Sequence, residues 1–66
     1  MVEKLKQNII EKAANNIGKQ AYIRPSEFLF GRKKEDTEKC LNIILGFDFV
    51  KTARILGKDL IDVILK

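Results

Sequence analysis

Histidine and tryptophan are absent from this chain, and cysteine and proline each occur once, as Cys40 and Pro25. Without histidine there is no Ser-His-Asp type of triad, and no side chain whose ordinary pKa suits it to proton transfer near neutral pH. A Cys/His zinc site is excluded for the same reason, and a lone cysteine cannot form a disulfide within the chain. Cys40 lies among Leu41, Ile43 and Ile44 with no histidine to activate it, so it reads as a small hydrophobe of the core. The glycines Gly18, Gly31, Gly46 and Gly57 stand singly and form neither a dinucleotide-binding pattern nor a P-loop. Asp48, Asp59 and Asp62 match no calcium-loop spacing and read as caps and surface groups. These absences predict a protein that is not an enzyme and that holds no cofactor, no metal and no small-molecule substrate.

Long apolar runs are missing as well. No stretch approaches the ~18–20 residues needed to span a bilayer. Lys4, Lys6, Glu11 and Lys12 interrupt the first dozen residues, where a secretory leader would need an unbroken apolar core. The expectation is a cytoplasmic protein with no membrane association.

What is present is a chain of 66 residues, 45% hydrophobic and 33% charged, with a net charge of +4. That balance is globular, and the length allows one domain over residues 1–66. A chain this short buries only about 60% of the surface it exposes when unfolded, so its stability rests on close packing or on a partner. The positive charge is that of a protein that meets nucleic acid, or of one with a lysine-rich, solubilising surface.

Along the chain, apolar residues recur at helical spacing over Met1–Ile17: Val2, Leu5, Ile9, Ala13 and Ile17 form the stripe, and Ile10 and Ala14 widen it. Gly18 is expected to stop this helix in a left-handed conformation. Residues 19–25 read as a connection or a fragment of helix, with Pro25 disfavouring helix at Arg24. Ser26 is expected to cap one turn, Glu27–Phe30, which gathers Phe28, Leu29 and Phe30. A charged loop, Arg32–Asp36, precedes a central helix over Thr37–Leu45 that ends at Gly46. Asp48 is expected to cap a helix over Phe49–Leu56, and Asp59 a last one over Leu60–Leu65, with Gly57 between them. The predicted fold class is therefore all-α: a small orthogonal bundle of four to five short helices joined by glycine turns.

The residues from Phe49 to Val63 resemble the helix-turn-helix DNA-binding motif. Ala53 stands four before Gly57, Leu56 immediately before it and Val63 six after it, where that family places residues that pack two crossed helices. The resemblance implies a helix-turn-helix-like C-terminal half. The helix it would insert into DNA is Leu60–Lys66, which offers base edges little besides Asp62 and Lys66. Phosphate contacts are accordingly expected from Lys51, Arg54 and Lys58, with Arg32, Lys33 and Lys34 as a second basic cluster. A second resemblance, at Leu45-Gly46-Phe47, is to the loop of ubiquitin-associated three-helix domains.

Two functions follow as expectations. One is a small non-enzymatic regulatory protein that binds or associates with duplex DNA through phosphates. The other is a protein–protein interaction module, an inhibitor, adaptor or obligate homodimer, that uses Phe28, Phe30 and an apolar C-terminal helix bearing Leu60, Ile61, Ile64 and Leu65.

Overall fold

The computed structural model describes residues 2–66. Its elements in order are helix α1 (Val2–Ala14), strand β1 (Gln20–Ile23), a 3-10 turn (Pro25–Phe28), helix α2 (Lys34–Leu45), strand β2 (Val50–Gly57) and strand β3 (Leu60–Leu65). The strands form one antiparallel sheet in the order β1-β3-β2, so the last strand is central. Gln20 pairs with Ile64 and Ile23 with Ile61 on one side of β3, and Thr52 pairs with Ile64 and Ile55 with Ile61 on the other.

Helix α1 forms as its spacing predicts. Leu5, Ile9 and Ala13 recur every fourth residue and are all buried. The stripe is narrower than expected: Val2, Ile10 and Ile17 are exposed, and the helix ends at Ala14. Helix α2 starts at Lys34 and buries Thr37, Cys40 and Ile44. The Asp36 carboxylate turns back to accept from the Lys33 N–H at 3.1 Å, which satisfies one of the amides a helix start leaves open. Ala21, Ile23, Ile61 and Val63 project from the sheet on the side the helices cover and are 2% exposed or less. With the helix residues they make the core, which the stacked rings of Phe47 and Phe49, 5.3 Å apart, flank. Lys6 lies over the Phe47 ring at 5.6 Å, which ties α1 to this corner.

The all-α expectation is overturned: the described residues form two α-helices and a three-stranded sheet. Phe49–Leu56 and Leu60–Leu65, read as helices, are β2 and β3, so there is no helix-turn-helix and no apolar C-terminal helix. The resemblance at Phe49–Val63 captured spacing alone. Short apolar runs satisfy a helical and an extended template equally, and the β-branched residues Ile61, Val63 and Ile64 favour the latter. The likeness to a three-helix domain at Leu45–Phe47 falls with it, because a strand follows. Residues 19–25 contain β1 rather than a plain connection.

The turns are also built differently. No glycine has a positive φ; Lys19 (54°), Leu29 (67°) and Asp59 (56°) take the left-handed positions instead. Gly18 is thus not the left-handed stop of α1. A Cβ at Gly31 would meet the Asp36 carboxylate, so a side chain there would displace the group that accepts from the Lys33 N–H. Asp59, expected to cap a helix after it, sits in the β2–β3 turn, where aspartate tolerates the left-handed conformation.

A basic groove at the hairpin tip

The two ends of the β2–β3 hairpin differ in what surrounds them. Val50 at the start of β2 is buried, whereas Ile55, Leu56, Gly57 and Lys58 are all exposed. The hairpin therefore runs out from the core and ends beside the start of α2. Between them lies an open groove of about 720 Å³, walled by Arg32, Lys33, Lys34 and Thr37 on one side and by Ile55 to Lys58 on the other. A second hollow, of about 420 Å³, lies among Arg24, Arg32, Lys58, Asp59 and Leu60. Arg32 and Lys58 belong to both, so five cations serve one continuous surface.

The tip is held in place by a contact that is remote in sequence. Asp59 accepts from the Ser26 N–H at 2.8 Å and from the Ser26 hydroxyl through its other oxygen. Ser26 is the second residue of the 3-10 turn, whose N-cap, Arg24, makes no side-chain bond of its own. Asp59 is thus the cap of that turn, supplied from 33 residues away. The Ser26 hydroxyl bond is the main cause that holds the Asp59 carboxyl below its ordinary value; desolvation opposes it, and the Ser26 N–H, Arg32 and Arg24 add to it. Asp59 is committed to Ser26, and Asp36 to the Lys33 N–H. The lining of the two hollows holds five cations against one carboxylate, Asp59.

The hairpin side of the groove is apolar apart from Lys58. Ile55 pairs with Ile61 and so shares the helix side of the sheet, yet remains 38% exposed. The register then slips between Ile55 and Gly57, which leaves Leu56 as the unpaired residue of a bulge, 45% exposed. Consecutive strand residues ordinarily point to opposite faces, and a bulge re-aims one of them. Here both residues line the same groove. Thr37, the polar residue of the wall besides the cations, is buried, and its hydroxyl donates to the Lys33 carbonyl at 3.4 Å.

Of the residues singled out from sequence, Lys58, Arg32, Lys33 and Lys34 come together here, although they had been placed in two separate clusters. Lys51 and Arg54 do not line either hollow. Lys51 is exposed on β2, an edge strand, at the other register slip, between Val50 and Thr52. Charges and bulges at such positions discourage pairing with another sheet. Arg54 lies across from Asp62 on the sheet face away from the helices, with its Nε 3.4 Å from the carboxylate. Asp62, nearly inaccessible, also accepts from the Gln20 amide at 2.6 Å. Among the expected interface residues, Ile61 is wholly buried, and Leu60, Ile64, Leu65, Phe28 and Phe30 are half-buried. Arg24, Ser26, Ile55 and Leu56 were not foreseen. For Ile55 and Leu56 the signal was Gly57-Lys58-Asp59, two turn-forming residues around a lysine between apolar runs, which is a hairpin signature; nothing local pointed to Arg24 or Ser26.

Cys40 is sealed in the core, where burial and then the charge of Asp59 push its thiol up to about 11, so it carries no nucleophile at neutral pH. Among the described residues no group of three or more His, Cys, Asp or Glu side chains is disposed to hold a metal ion, and no helix is long and apolar enough to cross a membrane. Comparison of the chain with protein-family models, with curated proteins and with solved structures returns no match.

Proposed function

We propose that this is a small non-enzymatic protein that binds the phosphate backbone of nucleic acid through the hairpin tip and the start of α2. One observation carries the reading. Arg24, Arg32, Lys33, Lys34 and Lys58 come from three separate parts of the chain and meet around one surface whose lining holds a single carboxylate, Asp59. Cations gathered in this way are what a polyanion needs, because each phosphate neutralised releases a condensed counterion. No helix enters the major groove in this reading, and no base is read by a recognition helix.

The test is the salt dependence of binding to a labelled 20-base-pair DNA duplex. The logarithm of affinity should fall linearly with the logarithm of salt concentration, with a slope near −0.9 per phosphate contacted. Lys58→Ala and Arg32→Ala should each weaken binding and make that slope shallower by about 1. Lys51→Ala should leave it unchanged. An unchanged slope in all three variants rules the groove out as the binding surface.

A second reading, a protein partner, draws on the 3-10 turn. Leu29 is 87% exposed and holds a left-handed φ of 67°, an unfavoured conformation for a leucine. With Phe28, Lys4 and Glu27 it lines a hollow of about 260 Å³. The solution molar mass decides whether a second copy covers it: a dimer that Leu29→Ser converts to monomer supports the homodimer, and a wild-type monomer at high concentration excludes it.

A further inference from the structure

Ile55 and Leu56 add something that phosphate binding does not call for. Both are large apolar residues, more than a third exposed, at the end of a hairpin beside Lys58, Arg32, Lys33 and Lys34. A surface that only neutralised phosphates would gain nothing from an aliphatic pair in its midst. The bulge leaves Leu56 without a partner in the ladder, and it lines the same groove as Ile55. The tip is also fixed in advance: the Ser26–Asp59 bonds anchor the turn residue to the 3-10 turn, so the pair is presented without further ordering.

From these observations, and resting on the phosphate-binding reading above, we infer that the hairpin tip enters the minor groove of duplex DNA and that Leu56, supported by Ile55, wedges against a base step and bends the duplex. Aliphatic side chains serve as such wedges in minor-groove binding, where they part the stack and kink the helix by about 20–90° while cations hold the phosphates on either side. The arrangement fits a duplex better than a single strand. Single-strand grooves rely on aromatic platforms for the bases, and the walls here hold Ile55, Leu56 and Thr37 but no aromatic residue. Easily unstacked pyrimidine–purine steps, such as TA, are the expected preferred position for the wedge.

The experiment uses the full chain and a 20-base-pair duplex with a central TA step, an end-to-end fluorescence-transfer pair, and in a parallel sample 2-aminopurine in place of the central adenine. Wild-type protein should raise transfer efficiency, as a bend requires, and raise 2-aminopurine emission severalfold, as unstacking requires. Leu56→Ser should abolish both signals and weaken binding roughly tenfold, the contribution of burying one leucine, while the salt slope stays as in the wild type. Leu56→Met should restore both signals. Leu56 is exposed and unpaired in the ladder, so the serine variant is expected to keep the wild-type circular dichroism. Should the wild type bind with the expected slope but leave both signals unmoved, or should Leu56→Ser retain them, the wedge is wrong and phosphate binding stands. Should the duplex not bind at all while an acidic, leucine-containing peptide does, both nucleic-acid readings fail and the groove belongs to a protein.

Discussion

The two ends of the β2–β3 hairpin are made of similar residues and do opposite things. At one end Val50, paired with the half-buried Leu65, is 7% exposed; at the other Ile55 and Leu56 stand at 38% and 45%. Both ends are aliphatic, so hydropathy does not separate them. What differs is the coverage. α1 and α2 lie over the sheet beside Ile23, Ile61 and Val63, and towards the tip the start of α2 offers only Lys33, Lys34 and Thr37. The lesson is that the two strands of one hairpin can divide the roles: β3 keeps Ile61, Asp62 and Val63 buried, whereas β2 buries only Val50 and leaves Ile55 to Gly57 exposed. The change comes where the helix cover gives way to a charged loop and a bulge frees the ladder.

That contrast can be broken or sharpened by substitution, beginning at the buried end. Ile61 is wholly buried and central in the sheet, so Ile61→Ala should cost about 2–5 kcal/mol, the range for truncating a core isoleucine. A domain of this size has roughly 3–5 kcal/mol to lose. The urea midpoint should fall steeply, or the variant should be unfolded at room temperature. A variant that unfolds within 0.5 kcal/mol of the wild type would show that the sheet is not where the stability lies.

Arg54→Ala is expected to come next, at about 1 kcal/mol, because it leaves the nearly inaccessible Asp62 carboxylate with only the Gln20 amide. The guanidinium is mostly solvated, which keeps the cost well below that of a fully buried pair. Urea denaturation measures it. The salt slope for DNA should not change, since Arg54 lines neither hollow.

Asp59→Asn should cost somewhat less, about 0.5–1 kcal/mol for a weakened cap, and its signature is in the pH dependence. Asp59 has a lowered carboxyl pKa in the folded state, from the Ser26 bonds and the nearby arginines. A group of this kind stabilises the fold above its unfolded-state value, and the contribution disappears as pH falls through the lower, folded-state value. The wild type should therefore lose stability in the acidic range, and the difference between wild type and Asp59→Asn should narrow there. A constant difference across pH would mean that the carboxylate charge is not what holds the tip. Leu56→Ala should have the smallest effect on folding, within about 0.5 kcal/mol, as befits an exposed residue outside the ladder. A larger loss would place Leu56 in the core and remove the difference between the two ends.

Parts of this architecture were legible in the residues. Leu5, Ile9 and Ala13 announce α1 by their spacing, and Cys40 and Ile44 announce the buried side of α2. Both helices are long enough for a 3.6-residue period to repeat and exclude an extended reading. The last third of the chain is not. Val50–Gly57 and Leu60–Leu65 are short apolar runs that fit two crossed helices as readily as a hairpin, and the spacing of Ala53, Leu56, Gly57 and Val63 fits a helix-turn-helix by coincidence. Propensity leaned the other way, through Ile61, Val63 and Ile64, and the Lys58-Asp59 turn agreed with it. The candidate site was half legible. Basic residues on either side of α2 were visible, but not that Lys58 and Arg32 would meet, because nothing local relates residues so far apart in the chain.

By itself, then, the sequence determined what is excluded and what is local: no histidine chemistry, no disulfide within the chain, the helices at α1 and α2 among the four to five expected, and a surplus of positive charge. These follow from residue types and from periods of a few residues, which act within one element. Only the tertiary structure decided that the C-terminal residues extend rather than coil, because β3 gains its hydrogen bonds from β1 and β2, on either side of it in space and not in sequence. The same pairing carries the hairpin tip to Ser26 and to the start of α2, and so makes one groove of residues from separate parts of the chain.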